Sequence, residues 1–226
     1  MRIKHNMILL VIIACLLIAI VGITNWPADR TQEVNVNNEQ TPNFSEANNI
    51  EIIWDVSDSM WGKVDNERKY LRAKKALVDI INSIPTNVNI GLRTIGNQKG
   101  SNGSTKLVVN ITKNNKQNLL DNIESLRPTG KSPIGKAMLE ASDDLSNLEG
   151  NKHILLVTDG KDTGKVMPSK LANQIYDKGI RVHVLQVGSN ENVINLKLQS
   201  IAQLGGGKYF TYSEKDKVVP TMNLIE

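Results

Sequence analysis

From Ile50 onward, short apolar runs alternate with stretches whose apolar residues recur at helical spacing. That alternation is what a largely parallel sheet covered by helices requires, and few other folds accommodate it. Runs at residues 50–54, 87–94, 106–111, 153–158, 181–187 and 208–212 predict about six strands. Between them, Ala73, Leu77, Ile80, Ile81 and Ile84 form one helical stripe that stops at Pro85. Leu119, Ile123 and Leu126 mark a second helix, and Ile134, Ala137, Met138, Ala141 and Leu145 a third. Leu171, Ile175 and Tyr176 mark a fourth, and Leu196, Leu198, Ile201 and Leu204 a fifth, closed by Gly205, Gly206 and Gly207. The turn-rich stretch 100–104 places the second and third strands in a hairpin at one edge. The expected fold is α/β: a doubly wound, mostly parallel six-stranded sheet with helices on both faces and one antiparallel edge strand. Because aromatic residues are only 4% of the chain, its core must be aliphatic.

Sheets of this kind bind ligands beyond the carboxyl ends of their strands, so chemistry is sought just after each strand. Three segments put oxygen-bearing side chains there. The first strand runs into Asp55-Val56-Ser57-Asp58-Ser59, a D-x-S-x-S pattern. The loop before the third helix holds Thr129-Gly130-Lys131-Ser132-Pro133, and the fourth strand ends in Thr158-Asp159-Gly160. Carboxylates and hydroxyls are hard donors that suit Mg²⁺ or Mn²⁺ rather than zinc, which favours His and Cys. Taken singly, each segment has a structural reading. Asp55 and Ser57 can close a turn on local backbone, Ser132 ahead of Pro133 can cap a helix, and Thr158-Asp159-Gly160 can be a plain turn. Their joint occurrence, in this order on this pattern, favours a cation site.

At these residues the chain resembles the von Willebrand factor type A family, whose metal-ion-dependent adhesion site combines D-x-S-x-S, a loop Thr and a later strand-end Asp. The resemblance covers residues 50–212 and is nearest to bacterial members, through Ser59-Met60-Trp61-Gly62 and Gly130-Lys131-Ser132-Pro133-Ile134. It implies a Rossmann-like fold and metal ligation by Asp55, Ser57, Ser59, Ser132 and Asp159. The hydroxyls of Ser57 and Ser59 would bind directly, and Asp55 and Asp159 mostly through water. Ser132 stands where the family has Thr, which keeps the hydroxyl but loses the methyl that restricts its rotamer. Thr129 is the alternative loop ligand. Asp58 replaces a common Gly and is expected to point to solvent. The resemblance also implies a protein partner that presents an acidic side chain to the metal.

No residue is assigned a catalytic role. A phosphotransferase that begins with an aspartate after its first strand needs a second carboxylate where Ser57 stands, and no nucleophile elbow or P-loop is present. His153 and His183 fall in expected strands and read as structural. A subunit of a surface or transport complex is a further reading.

Residues 1–26 read as a signal-anchor: Arg2, Lys4 and His5 precede an apolar run at 7–23 that ends at Trp26. A cleaved signal, or lipid attachment at Cys15, are the alternatives. Residues 27–49 read as a flexible polar linker, 50–212 as the folded domain and 213–226 as a tail. This organisation places the domain outside the cytoplasmic membrane. The net charge of +4 is scattered rather than blocked, which argues against nucleic acid as a partner. With a single cysteine, no disulfide forms within the chain.

Overall fold

A computed structural model of the chain describes residues 47–96, 104–188 and 191–212. The expected anchor, most of the expected linker and the expected tail lie outside them. Among the described residues no helix is long and apolar enough to cross a membrane.

Strand β1 (Asn48–Val56) leads into a 3₁₀ turn (Asp58–Trp61) and a small hairpin of β2 (Lys63–Val64) and β3 (Glu67–Arg68). Then follow α1 (Lys69–Ser83), β4 (Asn89–Gly96), β5 (Thr105–Thr112), α2 (Lys116–Ser125) and α3 (Ile134–Ser146). The chain continues through β6 (Asn151–Thr158), α4 (Pro168–Tyr176), β7 (Ile180–Gln186), α5 (Asn192–Leu204) and β8 (Gly206–Thr211). The six-stranded sheet has the order β5-β4-β1-β6-β7-β8. All neighbours are parallel except β4 and β5, which form the antiparallel edge pair. The chain leaves β1 toward β4 on one side and later returns to β6 on the other. The strand order therefore switches beside β1, and a crevice opens at the carboxyl ends of β1 and β6.

Strand β1 shows why the sheet must be covered twice. Ile50, Ile52, Trp54 and Val56 pack on one face with Leu77 and Ile81 of α1 and Leu119 and Ile123 of α2. Ile53 packs on the other face with residues of α3, α4 and α5, among them Met138, Ile175 and Ile201. A two-residue period with both faces buried yields a near-continuous apolar run. Each such aliphatic side chain contributes about 1.5–3 kcal/mol through burial.

Two expected helix stripes are corrected. In α5, Leu196 and Leu204 are exposed, and the buried face is Leu198, Ile201 and Ala202. Leu196 lies two residues from Leu198, a step that takes it off the buried side. Tyr176, at the end of α4, is half exposed because its ring lies over the backbone of Gly206, where an added Cβ would meet a ring carbon at 2.2 Å.

The same sheet buries polar groups. Arg93 Nε donates to Glu51 Oε1 at 2.7 Å and its Nη1 to Glu140 Oε2 at 2.6 Å, while Nη2 donates to Asp144. Burial outweighs the nearby guanidinium and pushes the Glu51 carboxyl up to about 7. His153 Nδ1 and His183 Nε2 lie 3.1 Å apart, and the Lys208 N–H donates to His183 Nδ1 at 3.0 Å. His183 therefore carries its proton on Nε2 and donates to His153, as befits a pair of structural histidines.

Candidate metal centre

Asp55 is the penultimate residue of β1, fully buried at the switch point. Its Oδ1 accepts from the Ser57 N–H at 3.0 Å, the local turn expected of this pattern. Its Oδ2 accepts from two hydroxyls of distant segments, Ser132 Oγ at 2.8 Å and Thr158 Oγ1 at 2.7 Å. The 3₁₀ turn, closed by Met60 N–H to Ser57 O at 3.0 Å, then swings Ser59 back toward Ser57, and the two hydroxyls lie 3.2 Å apart. Ser59 Oγ donates to Asp159 Oδ1 at 3.0 Å. All five expected residues thus belong to one hydrogen-bonded cluster.

The cluster is held by loop-to-loop contacts. The Asp58 N–H donates to Gly130 O at 2.9 Å, and the Thr129 N–H to Val56 O at 2.8 Å. Trp61 Nε1 donates to Pro128 O at 2.9 Å, tying the segment after Ser59 to the loop before α3. Gly96, which ends β4 at φ +86, completes the floor, since a Cβ there would meet Thr129 O at 2.5 Å and Val56 O at 2.9 Å. Thr129 enters through its backbone and is half-buried, whereas Ser132 is buried with its hydroxyl on Asp55. The Asp58 side chain is exposed, as expected.

The helix-cap reading of Ser132 does not hold. The residue ahead of α3 is Pro133, with no side-chain cap of its own, and the Ile134 N–H is met by Asp162 Oδ1 at 3.1 Å. Asp162 and Thr163 were not marked by any motif, yet they position the loop. The Ser132 N–H donates to Thr163 Oγ1 at 2.9 Å, and the Thr163 N–H donates back to Ser132 O at 2.8 Å. Asp162 Oδ1 also accepts from the Gly164 N–H at 2.8 Å. Thr158 was legible only as part of a turn.

Lys69 is the other unanticipated member. Its Nζ lies 2.7 Å from Asp159 Oδ2, and Asp159 is fully buried. Two buried carboxyl groups thus share one ammonium. Burial raises the Asp55 carboxyl above its ordinary value, hydrogen bonds from Ser57 and Thr158 oppose that, and the charge of Asp159 adds to it. Each effect of burial and like charge would be relieved by a cation among these oxygens. Among the described residues no cluster of three or more His, Cys, Asp or Glu side chains is arranged to hold a metal. Hydroxyls must therefore complete any donor set here, and Ser57, Ser59 and Ser132 supply hard oxygens beside the two carboxylates.

The surroundings are basic. A depression of about 470 Å³ beside the centre is lined by Lys131, Lys136 and Lys165 together with Pro133, Thr163 and Val166. These lysines are exposed.

The family model of the von Willebrand factor type A domain matches residues 49–223. The uncharacterized protein YwmC of Bacillus subtilis (strain 168) is 30% identical over 179 residues, covering 74% of this chain and 78% of that protein. Among solved structures, an aerotolerance-related membrane protein from Bacteroides fragilis NCTC 9343, with multiple mutations to serines, shares the fold. It superposes with a TM-score of 0.63 at 21% identity, over 77% of this chain and 96% of that one. Proximal thread matrix protein 1 from the mussel byssus, solved with a zinc-occupied metal-ion-dependent adhesion site, superposes with a TM-score of 0.58 at 20% identity. That match covers 76% of this chain and 43% of that one. With a doubly wound sheet that switches at β1, and with the family model spanning most of its length, this chain belongs to the von Willebrand factor type A domain family.

Proposed function

We propose that this chain is a divalent-cation-dependent protein-binding module for adhesion or complex assembly. In this reading Asp55, Ser57, Ser59, Ser132 and Asp159 hold Mg²⁺ or Mn²⁺, and the partner contributes an acidic side chain. The observation that carries it is the convergence of three hydroxyls on two buried carboxylates at the switch point of the sheet. When bound, the cation supplies an open coordination position that a carboxylate fills.

The chain's own residues divide the work. Ser57 and Ser59 offer hydroxyl oxygens, which hold the ion without adding charge. Asp55 and Asp159 supply the compensating anions from fully buried positions, where Coulomb attraction is least screened. Ser132, which donates to Asp55, would give up that bond to serve as a further ligand when a partner engages a bound cation. The exposed lysines of the neighbouring depression favour an acidic partner and speed its approach. The zinc-occupied adhesion site of the mussel protein supports a divalent ion at the corresponding place here and makes zinc a further ion to titrate beside Mg²⁺ and Mn²⁺. The N-terminal apolar run would place the module outside the cytoplasmic membrane, anchored by that segment.

The test is calorimetric titration of Mg²⁺ and Mn²⁺ into the whole chain and its Asp55→Ala and Ser57→Ala variants, paired with capture of partner protein in Mg²⁺ or in EDTA. The expected result is metal binding that both substitutions abolish and capture that EDTA abolishes. Unchanged metal affinity in both variants would overturn the assignment. Hydrolysis of a phosphate ester in Mg²⁺ would instead favour an enzyme.

A further inference from the structure

Lys69 occupies a position that its own helix disfavours. It is the first residue of α1, where the helix dipole repels a cation, and the first turn holds no acidic residue to offset it. It is also almost fully buried, with 7% of its surface exposed. The backbone prepares a place for it. The small hairpin of β2 and β3 ends at Arg68, and the Lys69 N–H donates to Gly62 O at 2.9 Å. The stem then passes between two glycines. A Cβ on Gly62 would stand 3.4 Å from Lys69 Cε, and one on Gly188, at φ +82, would stand 3.2 Å from Lys69 Cγ. The slot ends at Asp159, where Nζ meets Oδ2 at 2.7 Å. A buried lysine delivered in this way to a carboxylate of the cation centre calls for an account in terms of that centre.

We infer that Lys69 is a tethered competitor of the divalent cation, which neutralises Asp159 in the metal-free state and sets the metal affinity of the centre. The inference rests on the metal-centre reading above. Two routes lead to the same sign. If the ammonium withdraws when metal enters, a buried ion pair is given up; if it stays, it stands as a like charge near the metal. Either way the chain binds metal more weakly than the same donor set without the lysine, and Asp159 is not left as an uncompensated buried anion when metal is scarce.

The experiment is calorimetric titration of Mn²⁺ into the whole chain as wild type, Lys69→Met, Lys69→Gln and Ser57→Ala, with melting temperatures in EDTA and in saturating Mn²⁺. Lys69→Gln keeps a hydrogen-bond donor for Asp159 and guards against failure of the methionine variant to fold without metal. Both lysine variants are expected to bind Mn²⁺ about tenfold more tightly or better, about 1.4 kcal/mol at tenfold. Their melting temperatures are expected to fall in EDTA and to recover in Mn²⁺. Affinity equal to or weaker than wild type in both, with Ser57→Ala still abolishing wild-type binding, overturns the role of Lys69 and leaves the metal centre standing. A melting temperature lowered equally with and without Mn²⁺ also overturns it, as the mark of a purely structural lysine. No binding by any of the four chains sinks the metal centre and this inference together.

Discussion

Ser132 Oγ donates to Asp55 Oδ2 across 2.8 Å, joining residues 77 positions apart in the chain. Were a cation held here as proposed, the Ser132 hydroxyl would reach it by exchanging this one partner, with no rearrangement of the loop.

Ser132→Ala is expected to weaken partner capture ten- to a hundredfold, the loss of a charge-assisted contact of about 1.5–3 kcal/mol. Its effect on metal affinity should be smaller, and Ser132→Thr should preserve or improve capture because the added methyl restricts the rotamer. Partner affinity measured beside metal affinity for the three chains checks this. Equal losses in both would place Ser132 among the permanent ligands.

The capping role belongs to Asp162, whose carboxylate takes the Ile134 and Gly164 N–H groups. Asp162→Ala should lower stability by about 1 kcal/mol, the usual cost of a lost cap. It should also loosen the loop that holds Ser132 and so reduce partner affinity. Thermal melts and binding assays on one variant test both consequences, and an unchanged melting temperature would remove the cap.

Asp55→Asn should abolish metal binding without lowering metal-free stability. Burial already disfavours the ionised Asp55 carboxyl; with the amide oxygen kept on the Ser57 N–H, the NH2 faces the Ser132 and Thr158 hydroxyls, which can rotate to accept. Urea unfolding in EDTA measures the stability, and a marked destabilisation would show that the anion supports the fold.

Acidification tests the buried histidines and Glu51 against each other. Burial lowers His153 to about 4 and His183 to about 3, so the folded state keeps both neutral while the unfolded chain takes up protons near 6.5. Their contribution is fully present above about 6.5 and is lost as pH falls toward 4 and 3. Glu51, raised to about 7, has the opposite sign: the folded state binds its proton first, so its contribution to stability grows as pH falls from about 7 to 4.5. Between pH 7 and 5, Glu51→Gln should therefore lose more stability than wild type, and a His153→Asn, His183→Asn double variant should lose less. Urea unfolding at both pH values is the measurement, and a reversed ranking would contradict the assigned burial.

Much of the architecture was legible in the residue order because its causes are local. The alternation of apolar runs with helical stripes is a direct image of strands buried on both faces, and among the described residues it placed the six strands of the main sheet and the five α-helices. Polar side chains at the ends of such strands pointed to Asp55 and Asp159 before any contact was known. The hairpin of β2 and β3 escaped notice because two-residue strands carry no period. The face of α5 was misplaced because a helix rich in Leu offers more than one stripe.

What the tertiary structure alone decided are pairings between residues whose local signals point elsewhere. Lys69 looks like a solvated cation at the start of a helix, and only the folding of the hairpin against Gly188 brings it to Asp159, 90 residues away. Asp162 looks like a loop residue, and it caps α3 only because that loop crosses the helix end. Arg93 gathers Glu51, Glu140 and Asp144 from β1 and α3, where its own strand predicts a buried aliphatic. In each case the sequence carries the charge, but desolvation within the folded chain selects its partner, since a charge removed from water must be paired where the packing leaves it.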